Sequence, residues 1–385
     1  MSATTARPAV VLGLERTGLA VARALGRAGL PVAGIGWRDY DFGLRSRYLS
    51  RRYRSSDGDE TALAALRAEA GYGRPVVFPT EDESIEFLLR HWDEVRELAD
   101  LPLPDDAEVM TGLRRKEQLP AQAEKAGVHA PRTIYAESEE AIRAMDLQPP
   151  FLVKPVEGKK FEAAFSRKAF VADGLDDAVG AWRIARERGF ETIVQELVPD
   201  AEERIFSLFT YIGRDGEPLV SVTGRKVRQL PVHFGSSTVF STSWQPRAFE
   251  LGQRLLRSAG YRGFAHVEFA HDRRDDSYKV IEVNTRPPLW MAVATGGADD
   301  IIRTAYDDLS GAPARAGRII KDEVAWVDLS RDLRQAVRRR DFRPGAFVAP
   351  YLTRRKERVF LATDDPVPAV YLGKRIVTRL LEKRG

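Results

Sequence analysis

The chain has 385 residues, 43% of them apolar and 30% charged, which is long enough for two or three packed domains of ordinary globular composition. Its 60 basic and 56 acidic residues leave a net charge of +4, which gives no reason to expect nucleic acid binding. The absence of cysteine excludes disulfides, thiol nucleophiles and thiolate metal sites. No run of about 20 apolar residues and no cleavable leader pattern occurs, so we expect a cytoplasmic protein that does not span a membrane.

The first hundred residues alternate between strand and helix patterns. In chain order, the predicted elements are a strand at 9–12, a helix at 19–28, strands at 31–36 and 75–78, and a helix from Ser84 to about Leu98. This βαβ order predicts a parallel, doubly wound, Rossmann-like domain that ends near residue 104, after a linker containing two prolines.

The turn from Gly13 to Gly18 is similar to a nucleotide-binding turn, but it lacks the full G-x-G-x-x-G pattern. A dinucleotide-dependent dehydrogenase is therefore a rival class. That class would leave the acidic hairpin and the lysine motifs described below unexplained. We expect the backbone amides of this turn to face a substrate instead.

From residue 105 onward, short helices alternate with strands rich in β-branched and aromatic residues, which predicts an α+β region with mainly antiparallel sheets. The predicted strands are 151–155, 192–198, 205–212, 219–225, 265–270 and 278–283, and the predicted helices are 115–126, 175–188 and 247–259. The predicted domains are 1–104, then 105–312 with lobes of about 105–190 and 191–312, and a basic C-terminal extension, 313–385.

Two of the predicted strands carry acidic residues on one face. Side chains alternate between the faces of a strand, so His266 and Glu268 share a face, as do Glu282 and Asn284. If the hairpin turn centres on Asp275, Glu268 faces Glu282 and His266 faces Asn284. Ile281 and Val283 are then expected on the apolar face.

Two carboxylates that face each other repel unless a cation lies between them. A solvated polar face is the alternative, and one Glu-x-Asn alone would not exclude it. Hard oxygen ligands without a thiolate favour Mg²⁺, which commonly also binds substrate phosphates. The second carboxylate and the following Arg286 favour a metal site.

This hairpin resembles that of the ATP-grasp superfamily, whose members have an acidic residue on one strand and Glu-x-Asn-x-Arg on the next. The resemblance implies a Rossmann-like pre-ATP-grasp domain followed by a two-lobed ATP-grasp domain. It also implies that Glu268, Glu282 and Asn284 bind one or two Mg²⁺ ions bridging ATP phosphates, with Mn²⁺ as a substitute. Arg286 would hold the transferred phosphoryl group or the acyl phosphate. The sequence departs from the family in having Thr285 where proline is commoner, and His266 where relatives often have Asn or Arg.

Lysine motifs extend this resemblance. Lys116 precedes a helix and a Gly-Val-x-x-Pro turn, and Lys154 ends an apolar strand, as the two ATP lysines of the family do. The loop that follows, with Lys159 and Lys160, is expected to cover the phosphates. It contains only one glycine where relatives often have several, so the two ammonium groups are expected to assist the backbone amides.

The segment 194–199 resembles the hinge between the two ATP-grasp lobes. The resemblance implies main-chain contacts with adenine at Glu196 and Val198, and places Gln195 near the exocyclic amine. Glu203 is preferred as the ribose ligand, and Glu202 fits as well. Arg225 ends a predicted strand, where the family often has a cation directed at the phosphates or the substrate.

The resemblance implies a carboxylate–amine ligase, similar to D-aspartate ligase and peptide ligases, that forms an amide through an acyl phosphate and releases ADP and phosphate. The expected partners are small carboxylates and amines such as amino acids or peptides, and a homo-oligomer is left open. An ATP-grasp kinase and a non-catalytic nucleotide-binding module are the alternatives. A kinase would phosphorylate one substrate without an amine. A non-catalytic module would bind ATP without turnover.

Overall fold

The computed structural model describes residues 6–56, 58–156, 158–231, 234–296, 299–313, 317–338, 344–352, 356–358 and 360–382. It contains three β-sheets, two of four strands and one of eight. No helix in these ranges is both long and apolar enough to cross a bilayer. The predicted combination of α/β and α+β regions is confirmed.

The first sheet is parallel, in the order β3-β2-β1-β4. Its strands and helices are β1 (Ala9–Leu12), α1 (Arg16–Arg27), β2 (Val32–Gly36), β3 (Arg51–Arg54), α2 (Asp59–Ala70), β4 (Val76–Pro79), α3 (Asp82–Arg90) and α4 (Trp92–Leu98). Three of these strands match predicted ones, whereas β3 and α2 were not predicted. The single helix predicted from Ser84 to Leu98 is two helices, because the backbone leaves helical geometry at His91.

The second sheet is antiparallel, in the order β5-β8-β6-β7, and forms a small lobe. This part of the chain contains α5 (Ala107–Arg114), α6 (Leu119–Lys125), β5 (Thr133–Tyr135), α7 (Glu139–Arg143), β6 (Phe151–Pro155), α8 (Gly158–Phe165), β7 (Phe170–Ala172), α9 (Leu175–Glu187) and β8 (Thr192–Glu196). Its core joins the apolar face of the sheet to α9.

The third sheet is the largest, in the order β13-β12-β9-β10-β11-β15-β16, with β14 also paired to β10. Its strands are β9 (Ile205–Ile212), β10 (Pro218–Leu230), β11 (Ser236–Thr242), β12 (Gly263–Asp272), β13 (Ser277–Asn284), β14 (Arg318–Ile320), β15 (Ala325–Val327) and β16 (Lys356–Arg358). The helices of this region are α10 (Pro246–Ser258), α11 (Ile301–Leu309), α12 (Leu329–Arg338), α13 (Pro344–Val348) and α14 (Val367–Glu382). Short 3-10 helices cover Phe42–Arg45, Ala201–Glu203, Met291–Ala294 and Ala349–Leu352.

The residues predicted as a basic extension contribute three strands to this large sheet and also bind α1. Arg16 Nε donates to the buried Asp328 at 2.6 Å, and Arg23 Nε donates to the buried Asp365 at 2.9 Å. Both acidic residues therefore have their charge compensated by the first helix. These long-range contacts fix the N-terminal sheet against the large one, and a cleft lies where the sheets meet.

Candidate functional site

A cavity of about 430 Å³ lies between the carboxyl end of the N-terminal sheet, the small lobe and the large sheet. Each of the three sheets contributes to its lining: Thr80 follows β4, Lys154 lies on β6, and Glu268 lies on β12. Ligand sites in open α/β proteins commonly lie at the carboxyl ends of parallel strands. The position of the cavity therefore fits a substrate site.

The predicted register of the acidic hairpin is confirmed. Glu268 pairs with Glu282, and His266 pairs with Asn284, on β12 and β13. The register shifts immediately afterwards, since Phe269 pairs with Val280, which leaves Ile281 as an extra residue in β13. This bulge corrects the expectation that Ile281 lies on the apolar face: Ile281 lines the cavity beside Glu282, as bulges re-aim side chains.

The two facing carboxylates have different environments. Glu268 is 7% exposed, and Lys226 Nζ lies 3.3 Å from its Oε1. Burial alone would raise the pKa of Glu268, but the charge of Lys226 holds that pKa below its usual value. Glu282 faces the open cleft, where the surrounding cleft walls and the negative charge of Glu268 raise its pKa. Glu268 thus has a cationic partner. The ionised form of Glu282 is disfavoured by its surroundings.

A divalent cation fits this arrangement. Two opposed carboxylates and the amide of Asn284 all line the cavity and offer hard oxygen ligands. Within the described ranges no group of three or more His, Asp or Glu side chains is arranged to hold a metal. The set is therefore two carboxylates and one amide, which leaves coordination positions for phosphate oxygens.

Lys116 and Lys154 lie in the same cavity without a carboxylate partner among the residues that the structure describes. Lys116 Nζ donates to the carbonyl of Pro155 at 3.1 Å, and Lys154 Nζ donates to Gln195 Oε1 at 2.7 Å. Burial lowers the pKa of both ammonium groups, and with the charge of Lys116 it brings the pKa of Lys154 to about 8. Two cations held this way would be stabilised by an anionic ligand.

The segment predicted as a phosphate-covering loop is instead helical. Residues Gly158–Phe165 form α8, whose phenylalanines pack together: Phe161 lies 4.6 Å from Phe165 and 5.4 Å from Phe170, between ring centroids. Lys160 is exposed on this helix, and the side chain of Lys159 lies outside the described residues. Lys160 is not among the residues lining the cavity.

Of the predicted hinge residues, Gln195 and Glu196 lie on β8 and Val198 follows it, and none of the three lines the cavity. The Glu196 N–H donates to the carbonyl of Arg132 at 2.9 Å, so a main-chain contact of Glu196 with adenine would use its carbonyl oxygen. Val198 is buried. Gln195 is held at both ends, by Lys154 and by Thr133, so it positions Lys154 within the site.

The two candidate ribose ligands differ in their surroundings. Glu203 is exposed on a short 3-10 helix, so its carboxylate is accessible to a ligand. Glu202 accepts a hydrogen bond from the Phe234 N–H at 3.1 Å, which ties it to the strand connection beside the cavity. Neither residue lines the cavity described here.

Arg225 and Lys226 are adjacent on β10, and only one of them reaches the cavity. Arg225 is exposed and outside the lining, whereas Lys226 is 8% exposed and lies in it. Lys226 Nζ also donates to the carbonyl of Gly235 at 3.2 Å. At this strand the cavity therefore receives the charge of Lys226 and not that of the predicted Arg225.

Arg286 lines the cavity and is bound by the N-terminal domain. Its Nε and Nη2 donate to the two carboxylate oxygens of Asp82 at 2.7 and 3.0 Å. This bidentate pair fixes the plane of the guanidinium and occupies one of its edges. A substrate anion would therefore bind at the other edge, which includes Nη1.

The N-terminal domain also supplies a charged wall. Glu81 accepts from the Glu15 N–H at 3.1 Å and from Arg38 Nη1 at 3.1 Å. Burial and the nearby charges of Glu15 and Asp41 raise the pKa of Glu81 to about 7. A Cβ on Gly13 would lie 2.8 Å from the Glu81 side chain, so glycine is required for this close approach.

Comparison with known proteins gives no match to a family model, but it finds a similar protein of known activity. D-aspartate ligase of Enterococcus faecium (strain Aus0004) is 22% identical over 217 residues, covering 53% of this chain and 51% of that protein. The chain thus matches about half the length of this curated relative.

Solved structures match over most of the chain. L-amino acid ligase from Bacillus licheniformis superposes with a TM-score of 0.59 at 16% identity, covering 80% of this chain and 75% of that one. N5-carboxyaminoimidazole ribonucleotide synthetase from Thermus thermophilus gives 0.61 at 16%, covering 82% and 81%. The biotin carboxylase domain of Hydrogenobacter thermophilus 2-oxoglutarate carboxylase, solved with MgADP, gives 0.64 at 16%, covering 81% and 71%.

The chain has the ATP-grasp fold. The resemblance first indicated by the acidic hairpin is thereby confirmed at the level of fold. Within this fold the cavity brings together Glu268, Glu282, Asn284, both predicted ATP lysines and Arg286.

Sequence reasoning missed several residues that line the cavity, among them Lys226, Lys168 and Glu81. Lys226 follows the residue that was chosen, and its inward direction depends on the register of β10. Lys168 belongs to no recognised motif. It reaches the cavity because it lies just before β7 in the folded small lobe. Glu81 becomes part of the site through the N-terminal sheet. No local sequence signal distinguishes these residues from surface charges.

Proposed function

We propose that this protein is an ATP- and Mg²⁺-dependent carboxylate–amine ligase that joins an amino acid or peptide carboxylate to an amine. The opposed pair Glu268 and Glu282, with cations grouped around it, carries this proposal. The match to a D-aspartate ligase and the structural likeness to an L-amino acid ligase support the choice of substrate class. We expect activity in the cytoplasm.

Glu268, Glu282 and Asn284 would hold Mg²⁺, and Mn²⁺ is a reasonable substitute because it accepts the same oxygen ligands. When bound, such an ion neutralises polyphosphate charge and orients the phosphoryl group for in-line transfer. Lys226 sets the charge state of this site, since it keeps Glu268 ionised. The protein thus presents an ionised ligand rather than a protonated acid.

Lys116 and Lys154 would bind the phosphates of ATP. Both ammonium groups are held in place by neutral oxygens, so their charge remains available to an anion. Gln195 positions Lys154 through one end of its amide while Thr133 fixes the other. The hinge residues Glu196 and Val198, and Glu203 or Glu202 on the following turn, would bind adenine and ribose.

The reaction needs no side-chain nucleophile. An oxygen of the substrate carboxylate attacks the γ-phosphorus, the bond to the bridging oxygen of ADP breaks, and an acyl phosphate forms. The amine then attacks the acyl carbon, inorganic phosphate leaves, and the amine loses a proton as the amide forms. The Nη1 edge of Arg286 would stabilise the negative charge that develops on the transferred group.

The test is an ATP-consumption assay on the purified protein with Mg²⁺ and a panel of amino acids and small peptides. A ligase releases phosphate only when a carboxylate and an amine are both present, and mass spectrometry then shows the amide. Phosphorylation of one substrate without an amine would indicate a kinase, and nucleotide binding without turnover would indicate a non-catalytic module. Either result would refute the ligase.

The matched variants are Glu282→Gln, which removes a proposed metal ligand, and Glu250→Gln, which alters an exposed residue on α10. We expect the first to abolish turnover while the protein remains folded, and the second to leave turnover unchanged. Full activity of Glu282→Gln would contradict the assignment of the metal site.

A further inference from the structure

Lys168 has a position that the predicted ATP site does not account for. It precedes β7 in the small lobe and lines the cavity. Its Nζ donates to Ser236 Oγ at 3.4 Å, and Ser236 is the first residue of β11 in the large sheet. The hydrogen bond therefore spans the cleft. At that length it is weaker than a typical bond of about 2.9 Å and is readily exchanged for a better acceptor.

The preceding segment explains why a lysine is needed here. The α8 helix lies where a glycine-rich loop was expected, so the N–H groups beyond its first turn donate within the helix and cannot wrap around a phosphate. Phe161, Phe165 and Phe170 pack against one another between ring centroids 4.6 to 5.4 Å apart. This aromatic cluster fixes the start of β7 and thereby the backbone of Lys168.

The charge around Lys168 also points to an anionic ligand. Among the described residues, its ammonium has a hydroxyl partner and no carboxylate partner. At the opposite end of α8, a Cβ on Gly158 would lie 3.8 Å from Lys116 Nζ. Lys116 lies near the first residue of α8 and Lys168 follows its last turn, and both line the same cavity.

We propose that Lys168 exchanges its hydrogen bond with Ser236 for one with the γ-phosphate of ATP. In this role Lys168 takes the place of the backbone amides that a glycine-rich loop would supply. The inference rests on the proposed use of ATP and adds one residue to it. Lys168 would distinguish a triphosphate from a diphosphate, because only the former has a γ-phosphate.

The test is isothermal titration of Mg²⁺ with ADP, and of Mg²⁺ with the non-hydrolysable β,γ-imido analogue of ATP. Lys168→Met should weaken binding of the analogue by about tenfold to a hundredfold, as expected when one hydrogen bond to a charged group is lost. Its affinity for ADP should stay within about twofold of wild type, in line with an unchanged set of ADP contacts. Lys168→Arg should restore part of the loss, and Lys125→Met, at an exposed lysine of α6, should change neither affinity.

Each other outcome overturns the proposal in a distinguishable way. Equal losses for ADP and the analogue, with a lower melting temperature, would show that Lys168 only holds the two lobes together. Unchanged affinity for both nucleotides would show that it is not a ligand, while the proposed ATP site would stand. If the wild-type protein binds neither nucleotide, the proposed function itself fails, and this inference fails with it.

Discussion

Replacing Glu282 by glutamine should stabilise the metal-free protein and remove its stabilisation by Mg²⁺. Glu282 lies opposite Glu268 in the strand register, and the cleft walls and that negative charge raise the pKa of Glu282. An acid whose pKa is higher in the folded state than in the unfolded state destabilises the fold above that pKa, and the penalty disappears as the pH falls through it. Glutamine removes this penalty at neutral pH.

The expected gain is small and has a defined upper limit. Like charges facing each other on neighbouring strands cost roughly 0.2–1 kcal/mol. Water reaches Glu282 through the open cleft and screens the repulsion, so the lower half of that range applies. Since 1 kcal/mol shifts the melting temperature by about 2–4 °C in chains of 150–250 residues, it shifts that of a 385-residue chain by roughly 1–2 °C, and the variant should melt roughly 0.2–1 °C above wild type.

Differential scanning fluorimetry can test both parts of this prediction, with Glu250→Gln as the exposed control. Each protein is melted in EDTA, in ADP with EDTA, and in ADP with Mg²⁺. The wild type should gain stability from adding Mg²⁺ to ADP, whereas Glu282→Gln should lose most of that increment. A variant that melts below wild type in EDTA, or that keeps the full response to Mg²⁺, would refute the reasoning.

Three further predictions concern the cations of the cleft. The pKa of Lys154 is about 8, and a bound triphosphate would raise it. Affinity for an ATP analogue should therefore be constant below about pH 8 and fall above it. Calorimetry at several pH values should show that this fall in affinity disappears in Lys154→Met. Lys226→Met leaves Glu268 buried without its partner, so the metal-free protein should lose about 3–5 kcal/mol of unfolding free energy and regain part with Mg²⁺ and ADP, and an unchanged denaturation midpoint would contradict this. Arg286→Lys loses the bidentate geometry with Asp82, so steady-state turnover should fall by about tenfold or more, whereas Arg225→Gln should stay within about twofold because Arg225 is outside the cavity.

The acidic hairpin could be predicted from the sequence because alternation along a strand decides which side chains share a face. Glu268 and Glu282 therefore faced each other as expected. The bulge at Ile281 could not be predicted, since one extra residue in β13 depends on pairing with β12 rather than on local preference. Arg225 was preferred over its neighbour Lys226 because the sequence does not show which face of β10 is turned to the cavity, and that depends on how β10 pairs with β9 and β11.

Elements with little apolar signal were missed. The edge strand β3 reads Arg-Arg-Tyr-Arg, so periodic hydrophobicity gave no indication of it. The cleft itself depends on contacts between distant parts of the chain, such as Arg286 with Asp82 and Arg16 with Asp328. Such pairs follow from the packing of the sheets, and no short motif records them. The small lobe differs again, because α8 forms where a loop was expected.

A crystal structure of the protein with ADP and Mg²⁺ would test the central claim most directly. The account predicts a metal ion bound by the carboxylates of Glu268 and Glu282 at about 2.0–2.1 Å, with phosphate oxygens completing its coordination. A nucleotide bound elsewhere, or a metal coordinated without either carboxylate, would contradict it.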